Sequence, residues 1–278
     1  MKLYKLRNGI GIEHDNAVYV VRDEHWDNFV NDDNLAATMK RIIQQSKPNN
    51  DGREILRAEI VAPIESQELW ASGVTYDRSK IGRQEESKKS GGGDFYERVY
   101  EAERPELFFK ATRQRIAGPG QSVRIRKDSV WNVPEPELTL FITSNGTIVG
   151  YTIGNDMSSR SIEGENPLYL PQAKTYDGCA SLGPCLFVSS EGLNSKTIIQ
   201  MEIRRNNVRM FEGSVAISQM KRTQEELVSF LYRECSFPNG SLLMTGTGIV
   251  PPRDFTLHNG DWIGITVEPI GRLENTVA

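Results

Sequence analysis

Cysteine is scarce in this chain of 278 residues. Cys179, Cys185 and Cys235 are all there is, and no two form a CxxC pair. An odd, scattered set argues against a disulfide framework and against a zinc ribbon, and it fits a reducing, cytoplasmic setting. Histidine is as rare, with only His14, His25 and His258. No apolar run approaches the roughly 20 residues of a membrane helix, so no membrane is expected as partner. The segment Met1 to Gly9 has no apolar core of signal-peptide length. A net charge of −4, with no basic block interleaved with aromatics, gives no footing for nucleic acid. Also missing are a glycine-rich phosphate loop, the regular strand–helix alternation of a barrel and any internal repeat. What remains is a globular chain with 38% hydrophobic and 25% charged residues, whose expected partner is a small molecule.

Against these absences one acidic pattern stands out. In Trp131-Asn132-Val133-Pro134-Glu135-Pro136-Glu137-Leu138, two glutamates stand two apart where a β-prone run, Leu138 to Ile142, begins. In a strand such residues share a face. Two carboxylates on one face beside a core repel each other, and a hard divalent cation is the simplest agent that would hold them there. The next apolar run, Thr147 to Ile153, is followed by Asp156. A hairpin across Ser144-Asn145-Gly146-Thr147 would bring this third carboxylate to the first two. Three oxygen ligands, with no Cys or His nearby, favour Mg²⁺ over Zn²⁺, with Mn²⁺ or Ca²⁺ as alternatives. On spacing alone, a solvated edge for Glu135 and Glu137 with Asp156 capping a turn fits equally well.

The coarse pattern is α+β and β-rich. Residues 1–66 read as a small N-terminal domain, with a strand from Ala17 to Arg22, a helix from Leu35 to about Gln45 and a strand over Glu59 to Ile64. Residues 67–278 read as the larger domain. Within it, a polar helix from Ser79 to Lys89, a glycine hinge at Gly91-Gly92-Gly93 and a second helix from Phe95 to about Glu103 outline a lid over residues 76–103. A surface excursion fits that composition as well. Beyond Pro105 come short strands, among them Leu138 to Ile142, Ile148 to Ile153, Thr197 to Arg204 and Trp262 to Glu268, and one helix from Thr223 to about Arg233.

Several blocks, in order, resemble the fumarylacetoacetate hydrolase family. They are Pro134-Glu135-Pro136-Glu137-Leu138, Gly150-Tyr151-Thr152-Ile153-Gly154-Asn155-Asp156, Ala173-Lys174-Thr175-Tyr176-Asp177 and Thr245-Gly246-Thr247-Gly248. The run Arg104-Pro105-Glu106-Leu107-Phe108-Phe109-Lys110 and the stretch Ile162 to Gln172 look like those of the family's sugar-acid dehydratases, which act on 2-keto-3-deoxy acids such as 2-dehydro-3-deoxy-D-arabinonate. The resemblance implies a mixed-β catalytic fold, a homodimer or homotetramer, and Mg²⁺ on Glu135, Glu137 and Asp156. It also implies catalytic roles for Glu106 and Lys174, and substrate contacts from Thr247 and a lid arginine, Arg78 or Arg83. One departure counts. The hydrolases usually carry Asn-Tyr-x-x-His at the start of the lid, and here Thr75-Tyr76-Asp77-Arg78-Ser79 puts Ser79 at the histidine's place. That weakens an acylpyruvate or fumarylacetoacetate-type C–C hydrolase, and a keto-acid decarboxylase or isomerase stands as a further alternative.

The chemistry suits these residue types. Dehydration removes a C3 proton and expels the C4 hydroxyl, and a metal chelated by the C1 carboxylate and C2 carbonyl would stabilise the enolate. A base must take the proton and an acid must protonate the leaving hydroxyl. Lys174 and Glu106 are the candidates, in either assignment. Thr247 and neighbouring backbone N–H groups could bind a carboxylate, and Asn155 and Arg160 could orient the ligands. Read without the resemblance, Glu106 would pass for a surface turn carboxylate and Arg78 and Arg83 for a solvated basic face.

Overall fold

The structure, a computed structural model, describes residues 1–87 and 93–278, with the side chains of 83–96 outside the description. The predicted strand at Ala17 forms as the third of three opening strands, β1 (Lys2–Lys5), β2 (Ile10–His14) and β3 (Ala17–Val21). Helices α1 (Trp26–Val30), α2 (Leu35–Gln45) and α3 (Gly52–Glu59) follow. At the start of α2, Asp32 accepts from the Asn34 amide and from the Thr38 hydroxyl. The strand expected over Glu59 to Ile64 is absent. Residues up to Glu59 complete α3, Ile60 makes one bridge to Leu6, and Pro63 has no amide to continue a ladder.

The chain then runs through β4 (Glu68–Gly73), α4 (Asp77–Ser87), α5 (Gly93–Glu101) and β5 (Glu106–Ala111). Two short strands, β6 (Ile116–Ala117) and β7 (Ser122–Val123), lead to the long hairpin of β8 (Asn132–Ile142) and β9 (Ile148–Ser159). Two helices, α6 (Arg160–Glu165) and α7 (Leu170–Lys174), carry the chain to β10 (Ala180–Phe187). The remainder is β11 (Ile198–Arg205), β12 (Val208–Ala216), α8 (Gln224–Leu231), β13 (Ser241–Met244), β14 (Trp262–Val267) and β15 (Gly271–Val277). Thr223 caps α8 by accepting from the Glu226 amide, the arrangement its T-x-x-E spacing favours.

Among the described residues the strands form two sheets. One has ten strands in the order β3-β2-β1-β10-β9-β8-β13-β4-β5, with β6 attached to β10. The other has five, in the order β12-β11-β14-β15-β7. Residues 1–66 hydrogen bond into the larger sheet through the antiparallel β1–β10 pair. The even-numbered residues of β8, Leu138, Leu140 and Ile142, join a core with Met201, Ile203, Ile263 and Ile265 of the smaller sheet. The odd-numbered Phe141 belongs to a second core, with Leu3, Ile12, Leu35 and Met39. Each face of the hairpin is therefore committed to its own apolar cluster, and a one-residue slip would exchange them. The turn forms where Asn145-Gly146 predicts it. Gly146 has φ 80°, a left-handed conformation that glycine adopts without a Cβ clash.

A candidate active site on the β8–β9 hairpin

Register decides what the hairpin presents. Glu135 lies directly opposite Asp156, and Glu137 opposite Gly154. Cross-strand partners share a face, so the three carboxylates emerge together on the odd-numbered face of β8, beyond Phe141. Their oxygens lie within 4.8 Å of one another and all three residues are buried. Two prolines in an internal strand would normally argue against a ladder. Here Asn132 and Leu138 turn their carbonyls away from β9, accepting from the Leu257 and Thr245 amides. Pro134 and Pro136 have the same parity and face that side too. There β13 pairs only with Thr139 to Ile142, so no ladder bond is lost at either proline.

Among the described residues three cations converge on this acidic floor. Lys174, fully buried at the end of α7, donates to Glu135 Oε2 at 2.5 Å, Asp156 Oδ2 at 2.9 Å and Ser158 Oγ at 2.6 Å. Lys110, fully buried on β5, pairs with Asp156 Oδ1 at 2.7 Å. Arg160 opens α6 and meets Glu135 Oε1 at 2.8 Å. Burial alone would raise the Asp156 pKa, but the charges and hydrogen bonds of Lys110 and Lys174 outweigh it and hold the carboxyl below its usual value. At Glu137 burial dominates, and repulsion from Asp156 and Glu135 adds to it. Lys174 and the Gly246 amide, 2.5 Å from Oε2, do not offset these, and the pKa is pushed well above the ordinary range.

Ser72, Gly73, Val74, Ser79, Phe108 and Thr247 wall a small pocket over this floor. Thr247 lines the pocket, and its hydroxyl is engaged with the backbone of Ile249. The Gly246 amide, expected to be open to a substrate carboxylate, is taken by Glu137. Glu106 does not line the pocket. Its carboxylate fills the side-chain space of Gly73, its register partner, where a Cβ would overlap it, on the same face of β5 as Phe108 and Lys110. Ser79 donates to the Tyr76 carbonyl at 2.7 Å and accepts from the Tyr76 amide. No histidine lines the pocket. Arg78 is exposed on α4 and does not reach it, and the Arg83 side chain lies outside the described residues, as does part of the glycine hinge. Of the two expected orienting residues, Arg160 does touch a carboxylate. Asn155 is one residue out of phase and points to the other face, its amide 3.4 Å from Met157 Sδ.

Sequence reasoning missed Ser158 and Lys110. Ser158 shares the face of Asp156 by period-two spacing, which was readable. Lys110 gave a weaker signal, a lone cation at the end of the apolar run Leu107 to Phe109, two residues on from Phe108 and four from Glu106.

Residues 82–278 match the family model described as fumarylacetoacetate (FAA) hydrolase C-terminal. Over 217 residues the chain is 48% identical to a probable 2-keto-3-deoxyxylonate dehydratase of Haloferax volcanii, which spans 77% of this chain and 73% of that protein. Over 216 residues it is 45% identical to 2-dehydro-3-deoxy-D-arabinonate dehydratase of Saccharolobus solfataricus, covering 77% and 72%. A solved structure of 2-keto-3-deoxy-D-arabinonate dehydratase complexed with magnesium and 2,5-dioxopentanoate superposes with a TM-score of 0.84 at 36% identity, over 100% of this chain and 98% of that one.

Proposed function

The chain belongs to the fumarylacetoacetate hydrolase family, and within it we propose that it is a Mg²⁺-dependent dehydratase of a 2-keto-3-deoxy sugar acid, such as 2-dehydro-3-deoxy-D-arabinonate. The observation that carries the reading is the all-oxygen cluster of Glu135, Glu137 and Asp156 with the Lys174 ammonium inside it, in a chain so similar to two dehydratases. The cluster fits a hard divalent cation. Its donors are carboxylates only, and Glu137 suffers a like-charge repulsion that a dication would relieve. Bound there, Mg²⁺ supplies a Lewis acid that favours negative charge on the C2 carbonyl oxygen.

The chain's own groups do the rest. Lys174 Nζ, which lies against Glu135, Asp156 and Ser158, takes the C3 proton as the neutral amine, once one of the protons it donates here has passed to a neighbouring carboxylate. Glu106, whose carboxylate abuts Gly73, protonates the departing C4 hydroxyl, which leaves as water, while the C3 proton stays on Lys174 and is returned to Glu106 by way of solvent before the next turnover. Thr247 contacts the substrate, and a lid arginine, Arg78 or Arg83, would meet its carboxylate on closure of the lid, since Arg78 does not reach the pocket as it stands. Phe108, against which Lys174 Nζ lies 5.7 Å from the ring centroid, keeps that wall apolar and limits water. The Ser79 hydroxyl, tied to the Tyr76 backbone, leaves no imidazole at the start of the lid to activate a hydrolytic water, which disfavours the hydrolase reading.

The protein is further read as a cytoplasmic homodimer or homotetramer. Val130 and Leu168, 85% and 83% exposed, support burial against a second copy, and light scattering would test it. The activity is tested with a panel of 2-keto-3-deoxy pentonates and hexonates at defined Mg²⁺. Mg²⁺-dependent loss of water from at least one is expected. Cleavage of acylpyruvates with no dehydration of the panel would overturn the assignment.

A further inference from the structure

We propose that Lys110 is a positioning residue that fixes Lys174 against Asp156. Placing a lysine where none of it meets water is costly unless its charge is paired, and here Asp156 pairs it while two carbonyls accept from it. The ammonium has three donors. One faces Asp156 Oδ1 at 2.7 Å, one the Met157 carbonyl at 3.1 Å, and one makes a short bond to the Lys174 main-chain carbonyl. The first two partners are consecutive on β9, and the third is the last residue of α7. One side chain on β5 thus joins the strand bearing a carboxylate of the floor to the helix end bearing the ammonium above it. A second tie lies next to it, because Thr175 Oγ1 donates to the Lys110 carbonyl at 3.1 Å. Lys110 does not line the pocket and touches no reacting atom. It acts through Lys174, whose main chain would otherwise end a five-residue helix with little to hold it.

This inference rests on the dehydratase reading, so wild-type protein is first shown to dehydrate its substrate, and a failure there concerns that reading alone. K110M keeps the length of the side chain and removes the charge. Its kcat and its exchange of the C3 proton with deuterated solvent are expected to fall together by at least about tenfold, approaching the roughly hundredfold that a displacement of about 1 Å can cost. KM should change by less than about threefold, because substrate binding is left in place. Mg²⁺, titrated calorimetrically, should bind as tightly as in wild type or more tightly, since a cation competing for Asp156 is gone. A kcat equal to wild type overturns the proposal. So does a loss of kcat that merely follows weakened Mg²⁺ binding, the mark of a disordered floor. Should K110M fail to fold, T175V decides by removing only the second tie. A fall in kcat of a few fold at unchanged KM and Mg²⁺ affinity supports the proposal, and unchanged kcat overturns it.

Discussion

Replacing Lys174 by methionine separates the two tasks of that side chain. The change keeps the buried aliphatic stem and removes an ammonium bonded to Glu135, Asp156 and Ser158. If Nζ takes the C3 proton, turnover should fall by roughly 10²–10⁴-fold, about 3–5 kcal/mol of barrier, and C3 proton exchange should vanish with it. The second task is electrostatic. In EDTA the variant leaves Glu135 to Arg160 and Asp156 to Lys110, each short of one cation. Breaking a buried charge pair costs about 3–5 kcal/mol, which for a chain of this size lowers the thermal midpoint by something on the order of 10 °C. Saturating Mg²⁺ puts positive charge back among the same oxygens, so most of that loss should return, while the lost rate should not. Scanning calorimetry with and without metal, beside an exchange assay read by NMR, measures both. A variant with near-normal turnover, or with undiminished C3 exchange, would refute the assignment of the base. An unchanged midpoint in EDTA would refute the electrostatic argument.

Glu106→Gln should block dehydration yet keep some C3 exchange, since taking the proton does not need the acid; the opposite pattern in this variant and in Lys174→Met would exchange the two roles. Glu137→Gln should lose Mg²⁺ and activity while keeping the fold, and full activity in EDTA-stripped wild type would sink the metal assignment. Asp33 accepts from Thr143 and Asn145 and ties the hairpin turn to the residues before α2, and its pKa is lowered chiefly by the Thr143 hydrogen bond. A depressed carboxyl stabilises the fold above its unfolded value and loses that contribution as pH falls through the folded one. Asp33→Asn should therefore lower the thermal midpoint at pH 7, with the gap closing below about pH 4. Amides of α4 and α5 should gain hydrogen-exchange protection when a keto acid is added, and equal protection in both states would count against a closing lid.

The hairpin and its acids were legible because each rests on local chemistry. Asn145-Gly146 demands a tight turn, and period-two spacing then dictates which carboxylates share a face. The helix from Leu35 to Gln45 and the capped helix after Thr223 are likewise local. Other parts depend on partners far away in the chain. β8 extends six residues ahead of Leu138 despite two prolines because β13 stops short of them, and no window around Pro134 contains that fact. The Glu59 to Ile64 run has strand-like residues but no neighbour to pair with beyond a single bridge. Lys110 went unnoticed because its role depends on its burial, which the helix end at Lys174 creates from 64 residues away.

The cations around the acidic floor bear on when in its life the protein meets its metal. Lys110, Lys174 and Arg160 stand against Glu135 and Asp156 in ion pairs, and Glu137 is pushed towards its neutral form, so the cations already offset the acids of the floor. A newly made chain can therefore bury its acids in a magnesium-poor interval, unlike domains that collapse only around their ion. A finished protein would then take up its metal and could release it without unfolding, so that occupancy would follow the free Mg²⁺ of the surroundings. Once loaded, the floor would carry a surplus of positive charge. The carboxylate of an arriving keto acid would offset part of it, leaving the rest for the negative charge that grows as C3 gives up its proton.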